Sequence, residues 1–275
     1  MQVPANNITV GLPGANAVDA QHTLGRVQAL GPAHIDYVLV DPEGFSVVPD
    51  DRNFRARSVI DWHEFEITEL VSRYVLASDR TAEEKASLLY SHWSSCAYNL
   101  SNVGRGLRWV EESLGKRPTA EAIAEALGPD RDGYSPQGEE GSELGKRGQR
   151  FRKKKADEYL AQVEEFRRQP ASNRPPAPEA IALYRRIVAR AQALGARVIF
   201  VIQPALYRQD DLIRAHELGD VSVLLRYDDP DRFPELYDVE HRFDATHLND
   251  EGARAFTGLL ARDFLELIAR AEWGK

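Results

Sequence analysis

Two short apolar runs constrain this chain more than any other feature: Ile35-Asp36-Tyr37-Val38-Leu39-Val40, and Val198-Ile199-Phe200-Val201-Ile202 within residues 196–203. Neither alternates apolar with polar. Unbroken apolarity over so few residues is the pattern of a parallel strand covered on both faces. Each run stops at a turn, Asp41-Pro42-Glu43-Gly44 after the first and Pro204 after the second. Covering both faces requires helices, and the sequence supplies them. Residues 15–30 are helix-compatible, with Val18, Leu24, Val27 and Leu30 roughly on one face, and Gly31-Pro32 ends them. Residues 179–194 form a second helix, closed by Gly195. Residues 250–271 form a third, with Ala253, Phe256, Leu259, Leu260, Phe264, Leu267 and Ile268 at helical spacing. Asn249 is placed to cap it, and Asp250 and Glu251 suit its positive end. Asn7-Ile8-Thr9-Val10-Gly11 and residues 221–225 add fainter strands. Strands alternating with helices predict an α/β fold with a mostly parallel sheet.

The middle of the chain reads differently. Residues 61–178 are mainly helical and polar, an insertion between the two parts of an α/β core at 1–60 and 179–275. Within it, residues 128–148 are rich in glycine and charge and predict a long loop. A helix over 150–168 follows, and Pro170 to Pro178 interrupt the chain. The run Lys146-Arg147-Gly148-Gln149-Arg150-Phe151-Arg152-Lys153-Lys154-Lys155 carries seven positive charges. It reads as a solvated helix start, paired with Glu139, Glu140 and Glu143, ahead of an anion-binding patch. Only Phe151 is interleaved, which argues against stacking on single-stranded nucleic acid. Residues 119–128 read as a capped helix, with Thr119 as N-cap and Gly128 at its end.

Composition narrows the functional classes. Of 275 residues, 43% are hydrophobic and 28% charged, the ordinary range for a globular chain. A net charge of −8 gives a nucleic-acid role no support. The single cysteine, Cys96, excludes an internal disulfide. No signal peptide and no apolar stretch of membrane-spanning length is present in this chain. Membrane association and oligomeric state stay open.

The chemistry is concentrated in Phe243-Asp244-Ala245-Thr246-His247-Leu248-Asn249. Asp244 and His247 stand three residues apart at the mouth of the last helix. An imidazole can take a proton from a nucleophile and return it to a leaving group. A carboxylate beside it holds the ring in the required tautomer and stabilises its charged form. His241 lies close by in sequence. A His241–Asp244–His247 metal site is conceivable, but no cysteine pairs or His-Glu-x-x-His motif support it. We therefore expect no metal and no organic cofactor.

Asp244-Ala245-Thr246-His247-Leu248-Asn249, followed by Gly252-Ala253 and a terminal amphipathic helix, resembles the last sequence block of the SGNH/GDSL hydrolases. It is most similar to the branch containing acetyltransferase-like proteins of bacterial envelope polysaccharides. Asn7-Ile8-Thr9-Val10-Gly11-Leu12-Pro13-Gly14-Ala15 is similar to the block whose glycine donates a backbone N–H to the oxyanion. Gly14 matches that glycine best, with Gly11 the alternative. The resemblance implies a flavodoxin-like three-layer α/β/α sandwich with a large helical insertion. It implies a serine esterase or O-acyltransferase acting on a small-molecule or glycan acyl ester. It also implies a compartment that is often outside the cytoplasm. Two departures accompany it. The family's nucleophilic serine, in a Gly-Asp-Ser or Gly-Ser-Ser turn after the first core strand, should precede Asn6, yet only Met1 to Ala5 do so. The asparagine of the third block has no counterpart after Val40, and Asn53 is too far along. The expectation is a nucleophile and first core strand upstream of Met1. Ser46 is a weak substitute, and Ser94 and Ser95 are weaker still. The alternative is a catalytically inactive SGNH-like module that binds a glycan or a protein partner.

Overall fold

The computed structural model describes residues 16–31, 34–42, 60–101, 143–172 and 174–273. Helix α1 (Ala17–Leu30) begins where Asn16 accepts from the N–H groups of Val18 and Asp19, while Asp19 bonds back to the Asn16 N–H. It ends at Gly31, whose φ of 63° lies in the left-handed region open to glycine. Strand β1 (Tyr37–Val40) follows. Helices α2 (Phe65–Ala77), α3 (Ala82–Leu100), α4 (Glu143–Lys154) and α5 (Ala156–Arg168) come next. Helix α6 (Pro178–Ala193) leads into β2 (Arg197–Ile202), α7 (Asp210–Glu217) and β3 (Leu224–Arg226). Two 3₁₀ turns, Pro234–Tyr237 and Val239–His241, precede the last helix, α8 (Asp250–Trp273).

The three strands form a parallel sheet in the order β1-β2-β3. Val38 sits opposite Val198 and Val40 opposite Phe200; Ile202 sits opposite Arg226. The protein is thus mixed α/β. β2 is buried on both faces, as its unbroken apolar run requires. Val198, Phe200 and Ile202 enter one cluster with Val18, Val71, Leu183, Ile187 and Leu212. Ile199 and Val201 enter a second with Tyr159, Val163, Tyr227 and Leu236, against which Phe256, Leu260 and Phe264 of α8 pack. Fully burying such a side chain stabilises the fold by about 1.5–3 kcal/mol relative to leaving it in water.

Three expectations change. β1 is not buried on both faces: Leu39 is 44% exposed. Residues 143–148 are helical rather than loop. The helix expected over 150–168 starts at Glu143 and breaks at Lys155, whose φ/ψ of −126°/4° is not helical. The glycines at 145 and 148 do not stop it, because Gly148 is a packed position. The strand expected over residues 7–11 and the capped helix over 119–128 lie outside the described residues.

The middle segment takes part in the core. α2 and α3 contribute Ile67, Val71, Val75 and Leu88 to the first cluster. α4 and α5 contribute Phe151, Tyr159 and Val163 to the second. α2 and α3 also meet at a buried aromatic knot. Trp62 stacks on His63 at 3.6 Å, and His63 Nε2 lies 2.9 Å from His92 Nδ1. Burial, then the neighbouring His63, pushes the His92 imidazole from 6.5 down to about 3. The unfolded chain accepts this proton near the ordinary histidine value, whereas the fold resists it. The associated stability is therefore complete above pH 6.5 and is lost as pH falls from there towards 3. We predict that the urea midpoint falls between about pH 7 and pH 5, above the titration range of ordinary carboxylates. His92→Asn keeps a polar amide atom near the Nδ1 position that meets His63 and should flatten that slope. Equal slopes in the two proteins would remove His92 from the account.

Candidate functional site

The loop carrying Asp244 and His247 is closed by short-range bonds. Arg242 and Leu248 form an isolated antiparallel bridge, and Phe243 N–H donates to the His247 carbonyl at 2.9 Å. Asn249 finishes the loop and starts the helix. Its N–H donates to the His241 carbonyl at 2.9 Å, and its Nδ2 donates to the Glu240 carbonyl. Its Oδ1 accepts from Gly252 N–H at 2.9 Å, which is the capping role expected for it. The first turn of α8 presses so closely on this loop that residue 252 must be glycine. A Cβ there would overlap the His241 carbonyl oxygen and lie 3.1 Å from both His241 Cβ and Leu248 Cδ2.

Asp244 and His247 do meet. His247 Nδ1–H donates to Asp244 Oδ1 at 2.8 Å. The same oxygen accepts from His247 N–H at 2.9 Å, and from Thr246 N–H and Thr246 Oγ1 at 3.0 Å each. Thr246 Oγ1 also lies 3.0 Å from His247 Nδ1. Burial pushes the Asp244 carboxyl up, but the Thr246 N–H bond and the His247 interactions outweigh it. The net effect holds the carboxyl below its ordinary 3.8, so it is ionised at neutral pH. The Asp244 side chain is 16% exposed and the His247 side chain 60%. A largely buried carboxylate therefore holds an imidazole whose other edge faces outward. That arrangement can accept a proton at Nε2 and return it.

Arg242 ties this loop to the sheet. It is fully buried, and its Nη2–H donates at 3.1 Å to the carbonyl of Pro204, just past the carboxyl end of β2. Its guanidinium centre lies 5.6 Å from the Tyr159 ring and 5.1 Å from the Tyr237 ring. Tyr237 in turn donates to the carbonyls of Ala205 and Tyr227, both at 3.2 Å. Through Arg242 the dyad loop is tied to the chain just past the carboxyl end of β2, the end of the strands where ligands gather in open α/β sheets.

A further wall comes from α4. Arg147 Nη2 donates to Asp244 Oδ2 at 3.0 Å and its guanidinium lies 5.6 Å from the Phe243 ring. Gly148 is buried against that ring, where a Cβ would sit 3.3 Å from Phe243 Cδ2. Arg152 reaches the Arg242 carbonyl at 3.4 Å and the Glu240 carboxylate at 3.9 Å. Two cations of the basic run thus pair with Asp244 and Glu240. Glu139 and Glu140, their expected partners, lie outside the described residues.

Gly14, Gly11, Ser46 and Asn53 also lie outside the described residues. Ser94 and Ser95 sit on α3, which packs on the first cluster, whereas the dyad loop packs Ala245 on the second. His241 turns its Nδ1 to the Glu235 carbonyl. Among the described residues no three His, Cys, Asp or Glu side chains converge to hold a metal ion. In the same residues no helix is long and apolar enough to cross a membrane. Sequence reading missed Arg147, Thr246 and Arg242. The available signal for Arg147 was the spacing of Gly148 and Phe151, which gives the basic run an inward face. Comparisons with known protein families, with curated proteins and with solved structures gave no match.

The packing at Gly252 can be tested directly. Gly252→Ala should cost about 2 kcal/mol by overpacking and loosen the dyad loop. Gly258→Ala, where nothing lies within 4 Å, should be neutral or stabilise by up to about 1 kcal/mol. Thermal melts of both variants check this. A Gly252→Ala protein as stable as the parent would contradict the close approach.

Proposed function

We propose that this protein is an SGNH-type serine esterase or O-acyltransferase, with Asp244 and His247 as its acid–base pair. The observation that carries this reading is the 2.8 Å bond from His247 Nδ1–H to the Asp244 carboxylate, in a loop that Arg242 ties to the chain just past β2. His247 Nε2 takes the proton of a serine hydroxyl as the serine oxygen attacks the acyl carbonyl. The ester C–O bond then breaks, and the imidazolium returns that proton to the departing alcohol. A water or an acceptor hydroxyl repeats the sequence on the acyl-enzyme, giving hydrolysis or transfer. Asp244 holds the ring with Nδ1 protonated, which leaves Nε2 free to accept. The Gly14 N–H is the proposed oxyanion donor. The substrate is an acyl ester of a small molecule or glycan, and the mechanism needs no metal and no organic cofactor.

The finer architecture belongs to the same proposal, a flavodoxin-like three-layer sandwich. Two features support it. Consecutive parallel strands are neighbours in the order β1-β2-β3, as in one half of that sheet. β2 also has a separate apolar cluster on each face, with helices supplying both.

The test is hydrolysis of a short-chain aryl ester by the full-length polypeptide, with labelling by a fluorophosphonate to locate the serine. His247→Ala should reduce turnover at least ~100-fold, and Asp244→Asn should reduce it strongly. Unchanged turnover in His247→Ala would sink the assignment. A protein that neither hydrolyses the ester nor takes the label would instead be an inactive module that binds a glycan or a protein.

A further inference from the structure

We propose that Arg147, on the basic helix of the middle segment, is a positioning residue for the Asp244–His247 pair. It holds the plane of the carboxylate, one oxygen on the imidazole and the other on its own guanidinium. This rests on reading the pair as an acid–base couple. The argument starts from how unevenly the carboxylate is used. Oδ1 takes four contacts, from Thr246 N–H, Thr246 Oγ1, His247 N–H and His247 Nδ1–H. Oδ2 has one partner among the described residues, Arg147 Nη2 at 3.0 Å. A carboxylate turns about a broad terminal torsion, so nothing intrinsic to the side chain fixes the plane of its two oxygens. A charge-assisted bond to the oxygen turned away from the imidazole holds that plane. The Asp244 side chain is 16% exposed and the Arg147 side chain 63%, so the bond orients the carboxylate and adds little to stability.

Arg147 is itself held. Its guanidinium rests over the Phe243 ring, the residue before Asp244, and Gly148 packs against the same ring. One turn along, Arg152 bonds the Arg242 carbonyl and pairs with Glu240. α4 is therefore fastened to residues 240–244 at several points, and Arg147 is the cation of the run aimed at the dyad. The middle segment then supplies part of the site rather than decorating it. Since a single N–H of Arg147 makes the contact, a lysine can replace it in part.

The state of the His247 ring reports this role whether or not the protein turns over an ester. In protein carrying ¹⁵N-histidine, with His247 assigned by its loss in His247→Gln, the neutral ring should show the Nδ1–H tautomer. Asp244→Ala defines the untethered ring. Arg147→Ala, and Arg147→Met, which keeps the aliphatic stem over Phe243, should move the pattern clearly towards that reference. Arg147→Lys should stay close to the parent. The Arg147 side chain is 63% exposed, so melting temperatures should hold. Identical ring signals in the parent, Arg147→Ala and Arg147→Met would overturn the proposal. Where ester hydrolysis is present, Arg147→Ala should lower kcat about tenfold with KM little changed, and added guanidinium should restore part of the loss. An unaltered kcat would also overturn it. If the parent hydrolyses no ester, the acyl-transfer reading fails, and the ring signals still decide whether Arg147 orders the pair.

Discussion

β2 is the constraint on which the rest of this structure depends. Its side chains alternate between two separate apolar clusters, Val198, Phe200 and Ile202 on one face and Ile199 and Val201 on the other. A strand of this kind is stable only when both faces are covered and both edges paired, since buried backbone groups must find partners. β1 and β3 pair its edges; α1, α2, α6 and α7 cover one face, and α5 and α8 the other. Every helix that positions the dyad takes its place from that requirement.

The link from core to site is Arg242. A buried guanidinium is expensive to desolvate, and burial lowers its proton affinity from the usual arginine value. The Pro204 carbonyl and the faces of Tyr159 and Tyr237 offset part of that cost. The arrangement joins four parts of the fold: the end of β2, α5, the 3₁₀ turn at Pro234–Tyr237, and the dyad loop. Asp244 and His247 are consequently held between a fixed strand end and a fixed helix start. The Asn249 cap and the close approach at Gly252 set the other side.

How much was legible depended on whether the signal was local. Capping residues such as Asn16 and Asn249, and stop signals such as Gly31, act over three or four residues. The end of α1 and the start of α8 therefore fell where expected, while α1 begins at Ala17, two residues later than expected, on the Asn16 cap. The Asp244–His247 contact was legible for the same reason, because a three-residue turn brings the two side chains together. β1 misled because its apolar run matched β2, while burial depends on what packs over each face of a strand, which the run itself does not show. Residues 143–148 misled because glycine and charge favour a loop in isolation. Packing of Gly148 on Phe243 outweighs the roughly 1 kcal/mol that a helical glycine costs.

The sequence by itself therefore determined the α/β pattern, the helix caps and the pairing of a carboxylate with an imidazole, all set by interactions between near neighbours in the chain. Only the tertiary structure decided that Arg147 completes the coordination of Asp244, that Arg242 anchors the loop to β2, and that the middle helices close the core. Arg147 and Asp244 are distant in sequence. The spacing of Gly148 and Phe151 marks the packed side of the basic run, but which charge beside it meets Asp244 is decided by the shape of the surface the helix meets.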